Sequence, residues 1–260
     1  MLHSSIVGGS TAKRVMACPA SVGLAAKMPP QPSSSYANQG TLLHEAAAAL
    51  LTDDALDITD IVGMTVNGVV LTPELMEQKL KPAFELLNAL DPDRQMQIAV
   101  EAKVSFGDLL PGVFGSCDVL GRMGDTALVV DWKFGDGVPV EAEENPQLLF
   151  YAAAAVRTPG LEWVFDGAKD ITLVIIQPPS VKTWTTTFDR VQLFYRELCL
   201  AVKQTQMPLP PMRAGDHCRW CPAKVICPEL TGQARRALET KLDVLDARAT
   251  GQMLQLADRV

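Results

Sequence analysis

Two acidic residues and one lysine in the middle of the chain, Asp118, Asp131 and Lys133, have side chains suited to metal-assisted chemistry. Asp131 and Lys133 are two residues apart in the apolar segment 127–134, and the alternation of a β-strand sends both side chains to one face. Asp118 lies in the apolar segment 113–120, which we expect to form the partner strand of a hairpin. Hard cations such as Mg²⁺ prefer carboxylate oxygens, and a lysine beside such an ion can orient a water or offset transition-state charge. The spacing therefore predicts a metal-assisted hydrolytic site.

Three other polar residues are candidates for the same site. Gln147 and Tyr151 are one helical turn apart, so both can point at one place. His44 occurs early in a predicted helix. Taken singly, each of these features also has an ordinary structural explanation. An Asp-x-Lys tripeptide is common as an ion pair on the surface, and Gln147 could be merely exposed to solvent. A histidine beside leucines is more often a hydrogen-bonded core residue than a metal ligand.

A cluster of thiols near the C-terminus predicts a second metal site. Cys218, Cys221 and Cys227 fall within ten residues, and Cys18 is the best candidate for a fourth ligand. Four thiolates can hold either Zn²⁺ or a [4Fe-4S] cluster, and the spacing does not decide between them. His217, next to Cys218, is an alternative zinc ligand.

The composition is that of a globular protein without disulfides. The chain has 260 residues, 48% of them hydrophobic, and its apolar runs are too short to span a bilayer, so we expect a cytoplasmic protein with no membrane partner. The net charge of -7 argues against a nucleic-acid binder, although an acidic chain can carry a local basic groove. The two remaining cysteines, Cys117 and Cys199, are assigned to the core.

The elements that must position these residues follow from hydrophobic periodicity. The segment Thr72-Pro73-Glu74 has the capping hydroxyl, early proline and early acid of a helix start, and Gly124-Asp125 suits a hairpin turn. Helices are predicted over residues 11–27, 39–51, 72–90 and 143–156, around 191–202, and at the C-terminus. Strands are predicted over residues 96–106, 112–123, 126–134, 171–177 and 183–188. This order predicts an α/β fold with a mixed central sheet flanked by helices.

Four motifs in this order resemble those of the PD-(D/E)XK nuclease superfamily, specifically its RecB-like branch. GTLLH at 40–44 looks like the branch's G-x-x-x-H helix, and GSCDVL at 115–120 looks like its glycine-to-aspartate strand. DWKFG at 131–135 is similar to its D-Y-K-T-G motif, and QLLFY at 147–151 to its Q-x-x-x-Y helix. Trp132 and Phe134 depart from the usual tyrosine and threonine, which bears on substrate contacts more than on metal binding.

The resemblance implies a restriction-endonuclease-like core and a role for each matching residue. A catalytic Mg²⁺ or Mn²⁺ would be bound by His44, Asp118, Asp131 and the main-chain carbonyl of Trp132. Lys133 would do the catalytic work. Gln147 and Tyr151 would support substrate binding, and Glu101 is a weaker match.

The cysteines narrow the resemblance further. RecB-like nucleases of the AddB kind, and the CRISPR-associated RecB-like exonucleases, hold a [4Fe-4S] cluster with one upstream cysteine and three near the C-terminus. The matching residues here are Cys18, Cys218, Cys221 and Cys227. We therefore expect one domain over residues 1–260, comprising a helical region 1–92 that contributes Cys18 and His44, a nuclease core 93–206, and a cysteine-rich segment with a final helix over 207–260.

The function expected from this resemblance is a Mg²⁺- or Mn²⁺-dependent DNA exonuclease acting on single strands or ends. Phage or bacterial recombination, replication or repair is the expected setting, with a helicase, recombinase or single-strand-binding protein as candidate partner. Two alternatives remain open at this point. One is a DNA-end-binding or assembly subunit that cuts nothing, and the other is a zinc-stabilised adaptor whose carboxylates are only structural.

Overall fold

A computed structural model of the chain describes residues 4–30, 32–135 and 138–232, together with residues 248, 251 and 255. Most of the final helix predicted at the C-terminus lies outside these described residues. Within them, no helix is both long enough and apolar enough to cross a bilayer.

A five-stranded mixed sheet forms the centre of the fold. A separate two-stranded hairpin precedes it in the chain. The strands are β1 (Thr65–Val66), β2 (Val69–Val70), β3 (Gln97–Ser105), β4 (Phe114–Met123), β5 (Thr126–Trp132), β6 (Asp170–Gln177) and β7 (Ser180–Thr186). The sheet order is β3-β4-β5-β6-β7, with β5 and β6 parallel and every other neighbouring pair antiparallel. The predicted fold class, an α/β fold with a mixed sheet flanked by helices, is therefore confirmed.

Helices cover both faces of this sheet. They are α1 (Ala12–Ala17), α2 (Ala20–Ala25), α3 (Ser35–Thr52), α4 (Pro73–Leu75), α5 (Lys81–Leu90), α6 (Pro146–Ala155), α7 (Glu162–Phe165) and α8 (Phe188–Thr205). A π-helical turn, Met76–Leu80, joins α4 to α5. The hydroxyl of Thr72 accepts a hydrogen bond from the Leu75 N–H, as the capping pattern predicts.

The prediction of one helix over residues 11–27 is wrong, because the helix breaks at Cys18 and Pro19. A proline disfavours helical backbone at the residue before it, and Cys18 has φ -140° and ψ 83°. The break turns Cys18 away from the helical path of α1, where its side chain is buried.

Two apolar cores lie on opposite faces of the sheet, and successive residues of β5 contribute side chains to each in turn. Val129 packs into the core beneath α6 and α8, whereas Val130 and Trp132 pack into the core beneath α3 and α5. Trp132 is 2% exposed and stacks between Phe84 and Phe134. Since Trp132 belongs to the α3 and α5 face, its neighbours in sequence project towards α6, as strand alternation predicts.

Candidate active site

Asp131 is a carboxylate at the end of a buried strand, and it lies at the centre of a hydrogen-bonded cluster. It is 1% exposed. The Gln147 side-chain N–H donates to Asp131 Oδ1 over 2.7 Å, and Lys133 Nζ lies 2.6 Å from Asp131 Oδ2. Apart from this ion pair, Oδ2 has no hydrogen-bond partner, so one of its lone pairs stays unused. A buried, incompletely satisfied carboxylate oxygen is suited to a further electrostatic partner.

Gln147 links this cluster to Tyr151. Its carbonyl Oε1 accepts from Lys133 Nζ at 3.0 Å, and its Nε2 also donates to Tyr151 Oη at 3.0 Å. Asn145 caps α6 by accepting from the N–H groups of Gln147 and Leu148, which fixes the first turn of the helix. One glutamine amide therefore sets the positions of a carboxylate, an ammonium and a phenol.

A second group of ligand atoms lies beside the first. His44, Glu101 and Asp118 each place one ligand atom within 4.8 Å of the others. His44 Nδ1 is 3.2 Å from Asp118 Oδ1, and Asp118 Oδ2 accepts from the Trp132 main-chain N–H at 2.7 Å. The Phe134 ring contacts the His44 ring edge to face at 5.3 Å and so restricts the orientation of the imidazole. Helix α3 and strands β3 and β4 each contribute one member.

Glu101 reaches this group because β3 is distorted at that residue. Its φ is +48°, in the left-handed region that a non-glycine residue seldom adopts. The ladder between β3 and β4 pairs Val100 with Val119 and Ala102 with Cys117, and it skips the Glu101–Asp118 pair between them. Such strain is characteristic of functional positions. The Ser116 hydroxyl then donates to Glu101 Oε2 at 2.8 Å and holds the carboxylate in place.

The site holds more negative than positive charge. Burial raises the pKa of Asp131 to about 6; the nearby Lys133 ammonium opposes this shift and the Asp118 carboxylate adds to it. Burial also raises the pKa of Glu101, with a contribution from Asp118. Burial opposes the charged form of His44, but its hydrogen bond to Asp118 and the Asp118 charge outweigh this and raise the His44 pKa. Three carboxylates face one ammonium.

These residues fit a divalent cation. Carboxylate oxygens and an imidazole nitrogen are ordinary ligands of Mn²⁺, and the carboxylates suit Mg²⁺. The convergence of His44, Glu101 and Asp118 within 4.8 Å, together with the unused lone pair on Asp131, provides the donors and the negative charge that such an ion requires.

The predicted site residues are brought together, with one change in their grouping. His44 and Asp118 converge with Glu101, while Asp131 joins Lys133 and Gln147. Trp132 contributes its main-chain N–H to Asp118, and its side chain is buried away from the site. Glu101 was the weakest sequence match, since its position depends on a local backbone distortion that no motif spacing reveals.

Replacing Asp131 with asparagine is expected to stabilise the cation-free protein above pH 6. The raised pKa means that the folded protein keeps the Asp131 proton between about pH 4 and 6, where the unfolded chain has released it. Folded stability therefore increases as pH falls through 6, and the ionised carboxylate costs about 3 kcal/mol at pH 8. Urea denaturation in EDTA should show this gain for Asp131→Asn at pH 8, and roughly half of it at pH 5.

Asp125 provides the matched control for this measurement. It is an exposed aspartate paired with Lys169 at 2.6 Å, so Asp125→Asn should leave the free energy of unfolding nearly unchanged at either pH. A wild-type protein that is as stable as Asp131→Asn at pH 8 would contradict the electrostatic description of the site.

The four predicted cysteine ligands meet at a second site. Cys18, Cys218, Cys221 and Cys227 line one small cavity. Cys18 comes from the break between α1 and α2, and the other three come from two short 3₁₀ turns, Asp216–Trp220 and Lys224–Ile226, and the residues beside them. The Ala20 N–H also donates to the Pro211 carbonyl at 3.0 Å, which adds a direct link between the N-terminal region and the cysteine segment.

Four thiolates suit either Zn²⁺ or a [4Fe-4S] cluster, and a histidine beside them is a further ligand suited to zinc. His217 lines the same cavity, with Nε2 3.0 Å from the Arg213 carbonyl oxygen and 3.7 Å from Cys218 Sγ.

The two other cysteines are core residues. Cys117 is fully buried, and burial raises the pKa of its thiol well above the ordinary value. Cys199 is half-buried on α8 and packs against the core beneath that helix. Both positions agree with their assignment from the sequence.

Comparison with known proteins identifies a family for nearly the whole chain. Two solved structures are distantly similar. One is the crystal structure of SSO0001, at 14% identity and TM-score 0.39 over 88% of each chain. The other is an alkaline exonuclease (LHK-Exo) from Laribacter hongkongensis, at 7% identity and TM-score 0.34 over 78% of this chain and 89% of that one. The family model described as "Protein of unknown function (DUF2800)" matches residues 3–260, and the chain belongs to this family.

Proposed function

We propose that this protein is a divalent-cation-dependent DNA nuclease with its active site at Asp118, Asp131 and Lys133. One observation carries the proposal: Lys133 Nζ lies 2.6 Å from a buried carboxylate, immediately beside three converging ligand atoms of His44, Glu101 and Asp118. An isolated surface pair would not be buried, and a purely structural pair would not leave Asp131 Oδ2 without a well-aligned hydrogen bond. The arrangement is suited to phosphodiester hydrolysis.

Each residue has a distinct part in this reaction. A bound Mg²⁺ or Mn²⁺ would supply Lewis-acid polarisation of the scissile phosphate. The ion would be held by His44, Asp118 and Glu101. Asp131 would contribute Oδ2, the oxygen that faces Lys133. Lys133 would orient the attacking water and offset the negative charge that develops on the phosphate. Gln147 holds the Lys133 ammonium and the Asp131 carboxylate in fixed positions relative to each other.

A local surface on the cysteine segment supports DNA binding despite the net charge of -7. Trp220 is 76% exposed, and the Arg219 guanidinium lies 5.3 Å from its ring centroid. Arg213 and Lys224 line the neighbouring cavity. Exposed aromatic rings beside cationic side chains bind single strands by stacking on bases and by attracting phosphates. We propose that this surface receives a single strand or the frayed end of a duplex.

Trp220→Ala is expected to weaken the binding of a single-stranded oligonucleotide roughly tenfold, because base stacking on one aromatic ring contributes on the order of 1–3 kcal/mol. Fluorescence anisotropy in EDTA measures the Kd without cleavage. The control is Leu209→Ala, which removes another exposed apolar side chain, one that lies before the first clustered cysteine, Cys218. Equal affinities for wild type and Trp220→Ala would exclude the surface as a DNA contact.

The cysteine site is proposed to hold a structural [4Fe-4S] cluster rather than zinc. All four cysteines line one small cavity, one from the N-terminal region and three from the C-terminal segment, which supports a group held by four thiolates. Its ligands would join the N-terminal helices to the cysteine segment and shape the channel for DNA. Within this proposal the protein is an exonuclease acting on single strands or ends in phage or bacterial recombination, replication or repair, with a helicase, recombinase or single-strand-binding protein as partner.

The test is degradation of an end-labelled single-stranded DNA by the purified protein with Mg²⁺, with Mn²⁺ and with EDTA. Shortening of the label with either ion and none in EDTA is the expected result. Binding without cleavage under all three conditions would favour a non-cutting DNA-end-binding or assembly subunit. Neither binding nor cleavage, with stoichiometric zinc in the protein, would favour the adaptor.

A further inference from the structure

The segment before α1 closes directly over Tyr151 of the proposed active site. Gly9 begins a 3₁₀ turn, Gly9–Thr11, and is buried. A Cβ atom at Gly9 would lie 2.5 Å from Tyr151 Cζ and 2.7 Å from Tyr151 Oη, distances that real Cβ atoms essentially never show. Because the φ of Gly9 is not in the left-handed region, the backbone tolerates other residues here. The close approach of the Tyr151 ring is therefore what requires glycine at position 9.

The Tyr151 ring is closely packed and only 6% exposed. A Cβ at Gly115 would lie 3.3 Å from Tyr151 Cε1, an atom that a Cβ at Gly9 would also meet, and 3.5 Å from the Gly9 nitrogen, so strand β4 approaches the same edge of the ring. The Phe150 ring meets the Tyr151 ring edge to face at 6.0 Å. Two glycines and one aromatic ring enclose the phenol in a slot.

The N-terminal wall of this slot is held firmly. Thr11 Oγ1 accepts from the Gly8 N–H at 2.9 Å and lies 3.2 Å from the Gly8 carbonyl oxygen, which closes the turn that contains Gly9. Val7 is fully buried, and Ser4 Oγ accepts from the Ile6 and Val7 N–H groups. A side chain added at Gly9 would therefore displace Tyr151 rather than the turn.

We propose that Gly9 is a positioning residue for the reaction, a role that rests on the proposed nuclease function. It holds Tyr151 against β4, and Tyr151 in turn fixes Gln147 through the hydrogen bond to Oη. Gln147 contacts both Asp131 and Lys133. Tyr151 is almost fully buried and acts through Gln147, so displacing it misplaces the Lys133 ammonium without removing a DNA contact.

The experiment compares glycine-to-alanine variants in the cleavage assay. Gly9→Ala is expected to lower kcat by about 10- to 100-fold with KM for DNA within about twofold, since displacement of a reacting group by 1 Å can cost about 100-fold in rate. Gly23→Ala is the control for the substitution itself, because a Cβ there would have nothing within 4 Å.

A double-mutant cycle separates positioning from folding. Tyr151→Ala vacates the space that an alanine side chain at position 9 would need, so the double variant should fold and should match the kcat of Tyr151→Ala alone. This arm remains informative if Gly9→Ala alone does not fold. The proposal would be overturned by multiplying effects in the double variant, by a normal kcat for Gly9→Ala, or by an equal loss in Gly23→Ala. A wild-type protein without metal-dependent cleavage would instead overturn the proposed function on which this role rests.

Discussion

Lys133→Ala is expected to lower the rate of Mg²⁺-dependent DNA cleavage by about 100- to 1000-fold, the usual cost of removing one group that stabilises transition-state charge. Lys133 Nζ lies 2.6 Å from the Asp131 carboxylate, and its positive charge opposes the rise of the Asp131 pKa that burial causes. Its removal leaves the cation ligands in place. The loss should therefore appear in kcat, whereas the Kd for single-stranded DNA in EDTA should stay within about threefold.

Lys169→Ala is the matched control for this substitution. Lys169 lies 2.6 Å from Asp125, the same separation as Lys133 from Asp131, but it is 76% exposed and far from any converging ligand atoms. Cleavage by Lys169→Ala should stay within about twofold of wild type, since an exposed ion pair contributes little. If Lys133→Ala and wild type degrade DNA at equal rates, Lys133 has no catalytic role and the proposed site is wrong.

Cys221→Ser is expected to abolish the broad visible absorbance of the purified protein and to lower its melting temperature by more than about 10 °C. A serine hydroxyl is a poor substitute for a thiolate, and a structural metal site contributes on the order of 10 kcal/mol to folding. Cys18→Ser should have the same effect, because Cys18 belongs to the same cavity although it lies 203 positions away in sequence. Absorption spectra, iron and sulfide content, and thermal melts measured without oxygen provide the readout.

Cys199→Ser is the control for loss of a thiol, since Cys199 is half-buried on α8 and is not one of the residues lining the cavity. It should keep both the absorbance and the melting temperature. A colourless wild-type protein with one zinc per chain would overturn the iron–sulfur proposal. In that case Cys221→Ser should still release the metal, and unchanged zinc content would show that the four thiols form no metal site.

The two sites are joined by a short piece of the chain. Gly9 contacts Tyr151 at one end, and Cys18 lines the cysteine cavity at the other. The nine residues from Gly9 to Ala17 form the 3₁₀ turn and α1, a length of about 14 Å at helical rise. Loss of the metal would therefore release one end of the segment that holds Tyr151, so Cys221→Ser is also expected to lower cleavage.

The sequence alone was sufficient wherever the physical cause is local. Strand alternation determined that Asp131 and Lys133 share a face opposite Trp132, and the structure places them 2.6 Å apart. The Gly124 turn joins β4 to β5 as predicted, with Gly124 at φ +56°. The helix break at Cys18 also has a local cause, since Pro19 disfavours helical backbone at the residue before it. The helical periodicity of residues 11–27 nevertheless predicts an unbroken helix.

Only the tertiary structure decided which groups converge. The ligand atoms nearest one another are those of His44, Glu101 and Asp118, because a single left-handed residue in β3 turns Glu101 towards a helix 57 positions earlier in the chain. Gly9 gives no motif signal, and its importance follows from the close approach of the 3₁₀ turn Gly9–Thr11 to the Tyr151 ring. Alternation and capping act between neighbours in sequence, so they specify elements and faces. Distances between elements depend on how the two cores pack, and these distances determine which carboxylates could share a cation.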